Sequence, residues 1–130
     1  MKILVILAGL IFSSVSFAGQ ASVETGGQEV QGEQYLSYNF GTVWTHTRQI
    51  VRFNVTNTGE TPLTFKSAVI YGADFGAAHS CKNGLQPKEK CFFEIEYWPM
   101  FEGTSSGRFI LTFVENDQIV VDLWGTARKM

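Results

Sequence analysis

The sequence has few of the residues on which common site chemistry depends. Of its 130 residues, two are histidine, two are cysteine and three are proline, and only 17% are charged. Ten basic and twelve acidic side chains give a net charge of −2, so the basic surface that binds nucleic acid is missing. A metal site needs three or four protein ligands, and the sequence has few histidines and cysteines to provide them. The composition therefore excludes a nucleic-acid partner and implies no cofactor.

Long hydrophobic runs are also lacking, and the one at the N-terminus is too short to span a bilayer. Residues 3–12 are apolar, Lys2 precedes them, and Ser16-Phe17-Ala18 has the small-x-small pattern of a cleavage site. A membrane-spanning helix needs ~20 apolar residues. The pattern predicts a signal peptide over residues 1–18, cleaved after Ala18, with a retained membrane anchor as the alternative.

Other anchoring signals are absent as well. No cysteine lies near the expected cleavage point, which excludes a lipoprotein anchor, and no hydrophobic tail follows Trp124. We therefore expect an exported protein, periplasmic or secreted, with no stable membrane anchor.

The segment after the expected cleavage site is poor in apolar residues. Residues 19–34 include four glycines, four glutamines and three glutamates, but only two valines. Such a segment cannot bury enough apolar surface to order itself. We expect a flexible acidic leader over residues 19–34.

From Tyr35 onward, apolar and polar residues alternate with the period of β-strands. Six such segments lie around residues 35–40, 51–56, 63–71, 91–98, 109–113 and 119–124, and a short seventh is expected between Gly72 and Leu85. Aromatic residues, which favour strands, make up 14% of the chain. Strands at this spacing, over ~100 residues, predict an all-β, seven-stranded immunoglobulin-like β-sandwich. We assign it to residues 35–127, followed by a short tail over residues 128–130.

The two cysteines are spaced as a short bridged loop. Cys81 and Cys91 enclose nine residues, among them the turn-forming Asn83-Gly84 and Pro87. An even number of cysteines in an exported chain favours a disulfide. A redox pair or metal thiolates are the alternative, and they call for closer CxxC spacing or further ligands.

Short motifs in a fixed order resemble a known family. They are Asn39-Phe40-Gly41-Thr42-Val43, Val55-Thr56-Asn57-Thr58-Gly59, Pro62-Leu63-Thr64, Gly72-Ala73-Asp74-Phe75, Cys81, Leu85-Gln86-Pro87, Cys91, Tyr97-Trp98-Pro99, Gly103 and Leu123-Trp124-Gly125-Thr126. Together, over about residues 36–127, they resemble the bacterial choice-of-anchor D or ASH-type immunoglobulin-like domains, relatives of the Hydin and major sperm protein group.

This resemblance implies a seven-stranded immunoglobulin-like sandwich that serves as a binding or assembly module without catalysis. The family's paired cysteines map onto Cys81 and Cys91. Family members often carry Pro-Gly before the second cysteine, whereas here Pro87 is followed by Lys88-Glu89-Lys90. Such domains also usually belong to larger surface proteins.

Three groups of residues resemble catalytic or metal-binding patterns. Gly103-Thr104-Ser105-Ser106-Gly107 matches the nucleophile-elbow pattern, but both histidines precede it, so we interpret it as a hairpin loop. Glu94 and Glu96 alternate on one side of a strand, as solvated carboxylates do. The remaining group contains His46, His79, Cys81 and Met100. Histidine and methionine can capture copper, which makes a copper-binding or small-ligand carrier the alternative function.

A last group of residues suggests a contact surface. Strict alternation places several apolar side chains on outward positions, and two aromatic residues fall in nearby loops. The outward residues are Ile50, Phe92, Trp98, Ile110, Val120 and Trp124, and the loop residues are Trp44 and Phe101. Apolar outer faces are typical of interaction sites, unless the leader or mutual packing covers them. We predict an interaction patch formed by Phe92, Trp98 and Trp124, flanked by Trp44 and Phe101.

The sequence therefore predicts a non-catalytic exported module that binds a protein partner of the envelope or of the extracellular space, and that can self-associate.

Overall fold

The computed structural model describes residues 3–4, 6–8, 30–31 and 33–129 of the chain. The expected cleavage site at residues 16–18 and most of the expected leader lie outside the described residues. The described residues form ten strands: β1 (Ile3–Leu4), β2 (Ile6–Ala8), β3 (Val30–Gln31), β4 (Glu33–Trp44), β5 (Gln49–Thr56), β6 (Phe65–Tyr71), β7 (Phe75–His79), β8 (Lys90–Tyr97), β9 (Gly103–Phe113) and β10 (Gln118–Arg128). Among the described residues, no helix is long and apolar enough to cross a bilayer.

Strands β4 to β10 form a seven-stranded, immunoglobulin-like sandwich, as the alternation predicts. One sheet has the order β4-β10-β9-β6, and the other has the order β2-β5-β8-β7, in which β2 adds an eighth strand. Strand β4 runs parallel to β10, and the other pairs in these two sheets are antiparallel. The expected short seventh strand is β7, which lies between Gly72 and Leu85. We call the two layers the β10 sheet and the β8 sheet.

Aromatic rings from both sheets fill the space between them. Phe53 of β5 stacks on Phe93 of β8 with ring centroids 4.9 Å apart, and Phe93 stacks on Phe109 of β9 at 4.7 Å. All three side chains are buried, as are the other inward residues of β8, β9 and β10. Each buried side chain of this size contributes roughly 1.5–3 kcal/mol of transfer free energy. The inward sets that alternation predicts for these strands are therefore confirmed.

Two strands depart from the predicted pattern. In β6 a register shift between Phe65 and Ser67 reverses the alternation, so that Ala68 and Ile70 pack on the core and Ser67 does not share the face of Phe65. The extra residue of a β-bulge has this effect, and alternation alone cannot reveal it. Strand β4 begins at Glu33, so the last two residues assigned to the leader belong to the sandwich.

A buried asparagine holds the loops together at one end of the sandwich. The side-chain amide of Asn57 donates to the carbonyl oxygens of Thr61 and Leu85, both at 2.9 Å, and its Oδ1 accepts from the N–H of Gly59 at 3.0 Å. Its backbone N–H donates to the carbonyl of Glu89 at 3.0 Å. The turn at Asn57-Thr58-Gly59 is thus fixed by the side chain that opens it.

Candidate interaction surface

The outer face of the β10 sheet carries an apolar row that crosses all four strands. The register aligns Tyr35, Val120, Ile110 and Val69, one from each strand. Further along the same face lie Tyr71 on β6 and Trp124 on β10. We call the six residues the aromatic face: Tyr35, Val69, Tyr71, Ile110, Val120 and Trp124.

Most of the aromatic face is accessible. The exposed fractions are 51% for Tyr35, 56% for Tyr71, 40% for Trp124 and 38% for Val69. Val120 is only 4% exposed, because the register sets it between Tyr35 and Ile110. The prediction that Val120 lies on the outer side holds, but its neighbours cover it. Several adjacent strands that share an apolar outer face are typical of a contact surface.

An ion pair lies within the aromatic face. Arg108 of β9 and Asp122 of β10 are cross-strand partners, and the Nε of Arg108 donates to Oδ1 of Asp122 at 2.7 Å. This hydrogen bond, together with the negative charge of Asp122, raises the pKa of Arg108. The two charges compensate each other, so the ion pair itself adds no net charge to the aromatic face.

The outer face of the β8 sheet has a different character. Arg52 pairs with Glu94 at 2.8 Å, and Arg48 forms a second ion pair with Glu96. The guanidinium carbon of Arg52 also lies 4.0 Å from the ring centroid of Phe92, so it covers this aromatic side chain. Glu94 and Glu96 are thus structural partners of arginines, and we call this surface the ionic face.

The structure does not bring Phe92 and Trp124 together. Phe92 lies on the outer side of β8 and Trp124 on the outer side of β10, so the two residues point away from opposite sheets of the sandwich. The single patch predicted from Phe92, Trp98 and Trp124 is therefore wrong. Alternation distinguishes inward from outward positions, but it does not say to which of two sheets a strand belongs.

The other three predicted surface residues lie near one end of the sandwich. Trp44 ends β4 opposite Arg128, and the N–H of Trp98 donates to the carbonyl of Asp74 at 2.9 Å. Phe101, in the loop between β8 and β9, is 83% exposed. The turn after Trp44 meets this loop through the N–H of His46, which donates to the carbonyl of Pro99 at 2.8 Å.

The residues considered as copper ligands are divided between two places. An open pocket of about 390 Å³ lies beside the end loops; it is lined by Thr45, His46, Met100, Phe101, Glu102 and Lys129. His79 is elsewhere: it stacks on Phe65 with ring centroids 5.0 Å apart, and burial, then Lys82, lowers its pKa. Within the described residues, no three His, Cys, Asp or Glu side chains are grouped to hold a metal ion.

The cysteines form a disulfide between Cys81 and Cys91. It joins the segment after β7 to the start of β8, and both residues belong to the buried core. The sulfur of Cys81 is therefore not available as a thiolate ligand. This pairing is the one that the sequence favours.

The serine of the elbow-like motif has a structural partner. Ser105 lies in β9, and its hydroxyl donates to the carboxylate of Asp74, in the turn between β6 and β7. The motif belongs to the regular strand β9, so its interpretation as a hairpin loop is wrong, and it does not form the strand-to-helix turn of a nucleophile elbow. A serine activated as a nucleophile would need an adjacent base such as histidine. Here the hydrogen bond fastens the β6–β7 turn to β9.

Comparison with known proteins supports the fold. No protein-family model matches the chain, and no curated protein matches it. Among solved structures, the ASH/PapD-like domain 7 of human CEP192 superposes with a TM-score of 0.57 at 13% identity, covering 75% of this chain and 84% of that one. The chain therefore shares the immunoglobulin-like sandwich fold of that domain.

Enzymes also contain similar sandwiches as parts of longer chains. The secreted serine protease VesC from Vibrio cholerae superposes with a TM-score of 0.55 at 17% identity over 68% of this chain, and a family 123 glycoside hydrolase from Clostridium perfringens with a TM-score of 0.56 at 10% identity over 72%. This chain spans 21% and 23% of those proteins, respectively. At such identities, these superpositions concern the fold alone.

Proposed function

We propose that this protein is an exported, non-catalytic immunoglobulin-like module that binds another protein through its aromatic face. The observation that carries this proposal is the apolar row that crosses all four strands of the β10 sheet. Tyr35, Tyr71 and Trp124 project from this surface with about half of their area exposed. Tyrosine and tryptophan are enriched at protein interfaces, where they bury large areas at a low cost in side-chain entropy.

The difference between the two outer faces supports assigning partner binding to the aromatic face. On the ionic face, four charged side chains form the ion pairs Arg48–Glu96 and Arg52–Glu94. The aromatic face has instead a single ion pair, Arg108–Asp122, among apolar side chains. Burying the aromatic face against a partner would remove more apolar area from water for a smaller loss of charge hydration.

Export is the second part of the proposal. The apolar run at residues 3–12, the small residues at positions 16 and 18 and the Cys81–Cys91 disulfide all support it. A disulfide of this kind persists in the periplasm or outside the cell. The partner is therefore expected among envelope or extracellular proteins.

Capture of the partner under matched conditions tests the proposal. The purified protein is immobilised and exposed to an envelope extract of its own host. The variant Tyr71→Ser/Trp124→Ser should lose the captured protein, because such anchors typically contribute more than ~2 kcal/mol each.

The control variant is Ile50→Ser/Val114→Ser, which removes two comparably exposed apolar side chains outside the aromatic face. It should capture the same partner as the unmodified protein. Thermal unfolding of all forms checks that they remain folded. Equal capture by the two double variants contradicts the proposed face.

A further inference from the structure

The seven-stranded sandwich has two long sides, each formed by one edge strand from each sheet, and the contacts between these edge strands differ. On one side, β6 and β7 meet across the sheets, where Phe65 stacks on His79 with centroids 5.0 Å apart. On the other side lie β4 and β5, and Tyr38 of β4 contacts Phe53 of β5 at a centroid distance of 6.0 Å. On this second side the β8 sheet extends beyond β5, because β2 pairs with β5 there.

Three of the four strands β4 to β7 have features that discourage pairing with a further strand. A register shift interrupts β4 near Gly41, and another interrupts β6 after Phe65. Strand β7 is short, with five residues. Bulges and short edge strands are the usual protection against pairing with foreign strands.

Strand β5 has none of these protections. It pairs with β8 over eight consecutive positions without a register shift, from Gln49 opposite Tyr97 to Thr56 opposite Lys90. It contains neither proline nor glycine. A long, regular strand of this kind offers a continuous row of backbone donors and acceptors to a neighbour.

The structure also shows how a segment occupies this edge. Ile6, Leu7 and Ala8 lie antiparallel to β5, opposite Val55, Asn54 and Phe53, respectively. Val55 and Phe53 are fully buried core residues, and Asn54 lies on the ionic face. Since successive positions of a strand alternate between faces, an added strand needs apolar residues at the two positions beside the core and tolerates a polar residue between them.

We propose that the edge of β5 is a strand-acceptor site, which takes an extended apolar segment of another protein once the chain's own residues 1–18 have been removed. The proposal rests on the export and cleavage proposed above. The leader that remains cannot replace the lost strand well, because over residues 19–33 its only apolar side chains larger than alanine are Val23 and Val30, seven positions apart. Strand addition of this kind gains affinity from backbone hydrogen bonds and specificity from alternate side chains.

The test starts from the full chain, expressed with its own N-terminus in a bacterium and purified from the periplasm. Intact mass establishes whether residues 1–18 are gone. The probe is a labelled synthetic peptide with the sequence of residues 1–9, titrated by fluorescence anisotropy. Hydrogen exchange then locates the amides that the peptide protects.

We expect saturable binding with new protection in residues 49–56 and none in residues 75–79, which form the opposite edge of the same sheet. An Ile6→Asp peptide should bind at least about tenfold more weakly, because it places a charge beside the core. A Leu7→Asp peptide should bind within about twofold of the original, because the register partner of this position, Asn54, lies on the ionic face and not in the core. This pair is matched in charge and in length.

Several results would overturn the proposal. They are a purified protein that retains residues 1–18, absence of peptide binding, protection at residues 75–79 instead of 49–56, and equal weakening by both aspartate peptides. A dimer that the peptide dissociates would assign the edge to a second copy and overturn the choice of a foreign strand. Retention of residues 1–18 would also contradict the proposed export. None of these results bears on the capture assay at Tyr71 and Trp124, so failure of the strand-acceptor site and failure of the aromatic face can be told apart.

Discussion

At position 125 the backbone of β10 lies directly against the ring of Tyr97. A Cβ atom added to Gly125 would come within 2.3 Å of Cε2 and 2.5 Å of Cζ of that ring. Tyr97 itself is fully buried, and it stacks on Phe75 with centroids 5.1 Å apart. Glycine is therefore required here for space between the two sheets.

Gly125→Ala should lower the free energy of unfolding by about 1–3 kcal/mol, the usual cost of overpacking a core. Urea denaturation measures the change. The control is Gly76→Ala, whose added Cβ would meet the flexible side chain of Glu96, with Oε2 nearest at 3.0 Å. If Gly125→Ala were as stable as the unmodified protein, the described contact with Tyr97 would be wrong.

At the same scale, the sequence was informative about burial and less so about exposure. Phe93 and Ile95 alternate with Glu94 and Glu96, which predicts that they face the core, and both are fully buried. Val120 lies on the outer side, as its alternation predicts, yet it is covered by its register neighbours Tyr35 of β4 and Ile110 of β9. These two residues belong to other strands, so the local sequence pattern does not reveal the contact. Burial of an outward residue depends on cross-strand neighbours, which are set by the topology.

At the scale of the elements, a disulfide closes the connection between the neighbouring strands β7 and β8. The Cys81–Cys91 bond closes a nine-residue loop over the start of β8. Beyond this link, β7 and β8 are joined by five register pairs, from Phe75–Tyr97 to His79–Phe93. The strand pairing should therefore survive without the disulfide.

Cys81→Ala/Cys91→Ala should lose roughly 2–3 kcal/mol of stability, the amount that the chain-entropy model gives for so short a loop. Urea midpoints of the variant and of the unmodified protein, each with and without reductant, provide the measurement. Reductant should lower the midpoint of the unmodified protein and leave that of the variant unchanged. An unmodified protein that reductant does not affect would contradict a stabilising disulfide.

The strands also show what alternation in the sequence can and cannot predict. The strands β5, β8, β9 and β10 were recognisable because each keeps its alternation. The bulge at Lys66 broke the pattern in β6, since one inserted residue exchanges the two faces of a strand. The candidate surface failed for a related reason: Phe92 and Trp124 were both correctly assigned outward positions, but the sheet that each strand joins depends on long-range pairing.

In the whole molecule, the two sheets have unlike outer surfaces. The β8 sheet presents ion pairs, and the β10 sheet presents tyrosine, tryptophan and valine. Because of this difference, the ionic face is suited to contact with water and the aromatic face to contact with another apolar surface. The difference also predicts how isolated copies behave at high concentration.

We expect weak self-association of the purified protein through the aromatic face. Trp124→Ser should shift the sedimentation profile toward the monomer, because an exposed apolar face is the adhesive surface. Ile50→Ser, on the ionic face and comparably exposed, serves as the control and should leave the profile unchanged. Equal effects of both substitutions, or none from either, would contradict association through the aromatic face.

The parallel pairing of β4 with β10 has a consequence for the order in which the chain can fold. Strand β4 has one neighbour in its sheet, β10, and this pairing joins Tyr35 to Val120. A chain that is synthesised or transported from its N-terminus must therefore expose Tyr38, Phe40 and the rest of β4 until residues 118–128 have emerged. Contacts of such sequence separation make folding slow. The same delay keeps the β10 sheet from closing before the C-terminal strand of the sandwich is present.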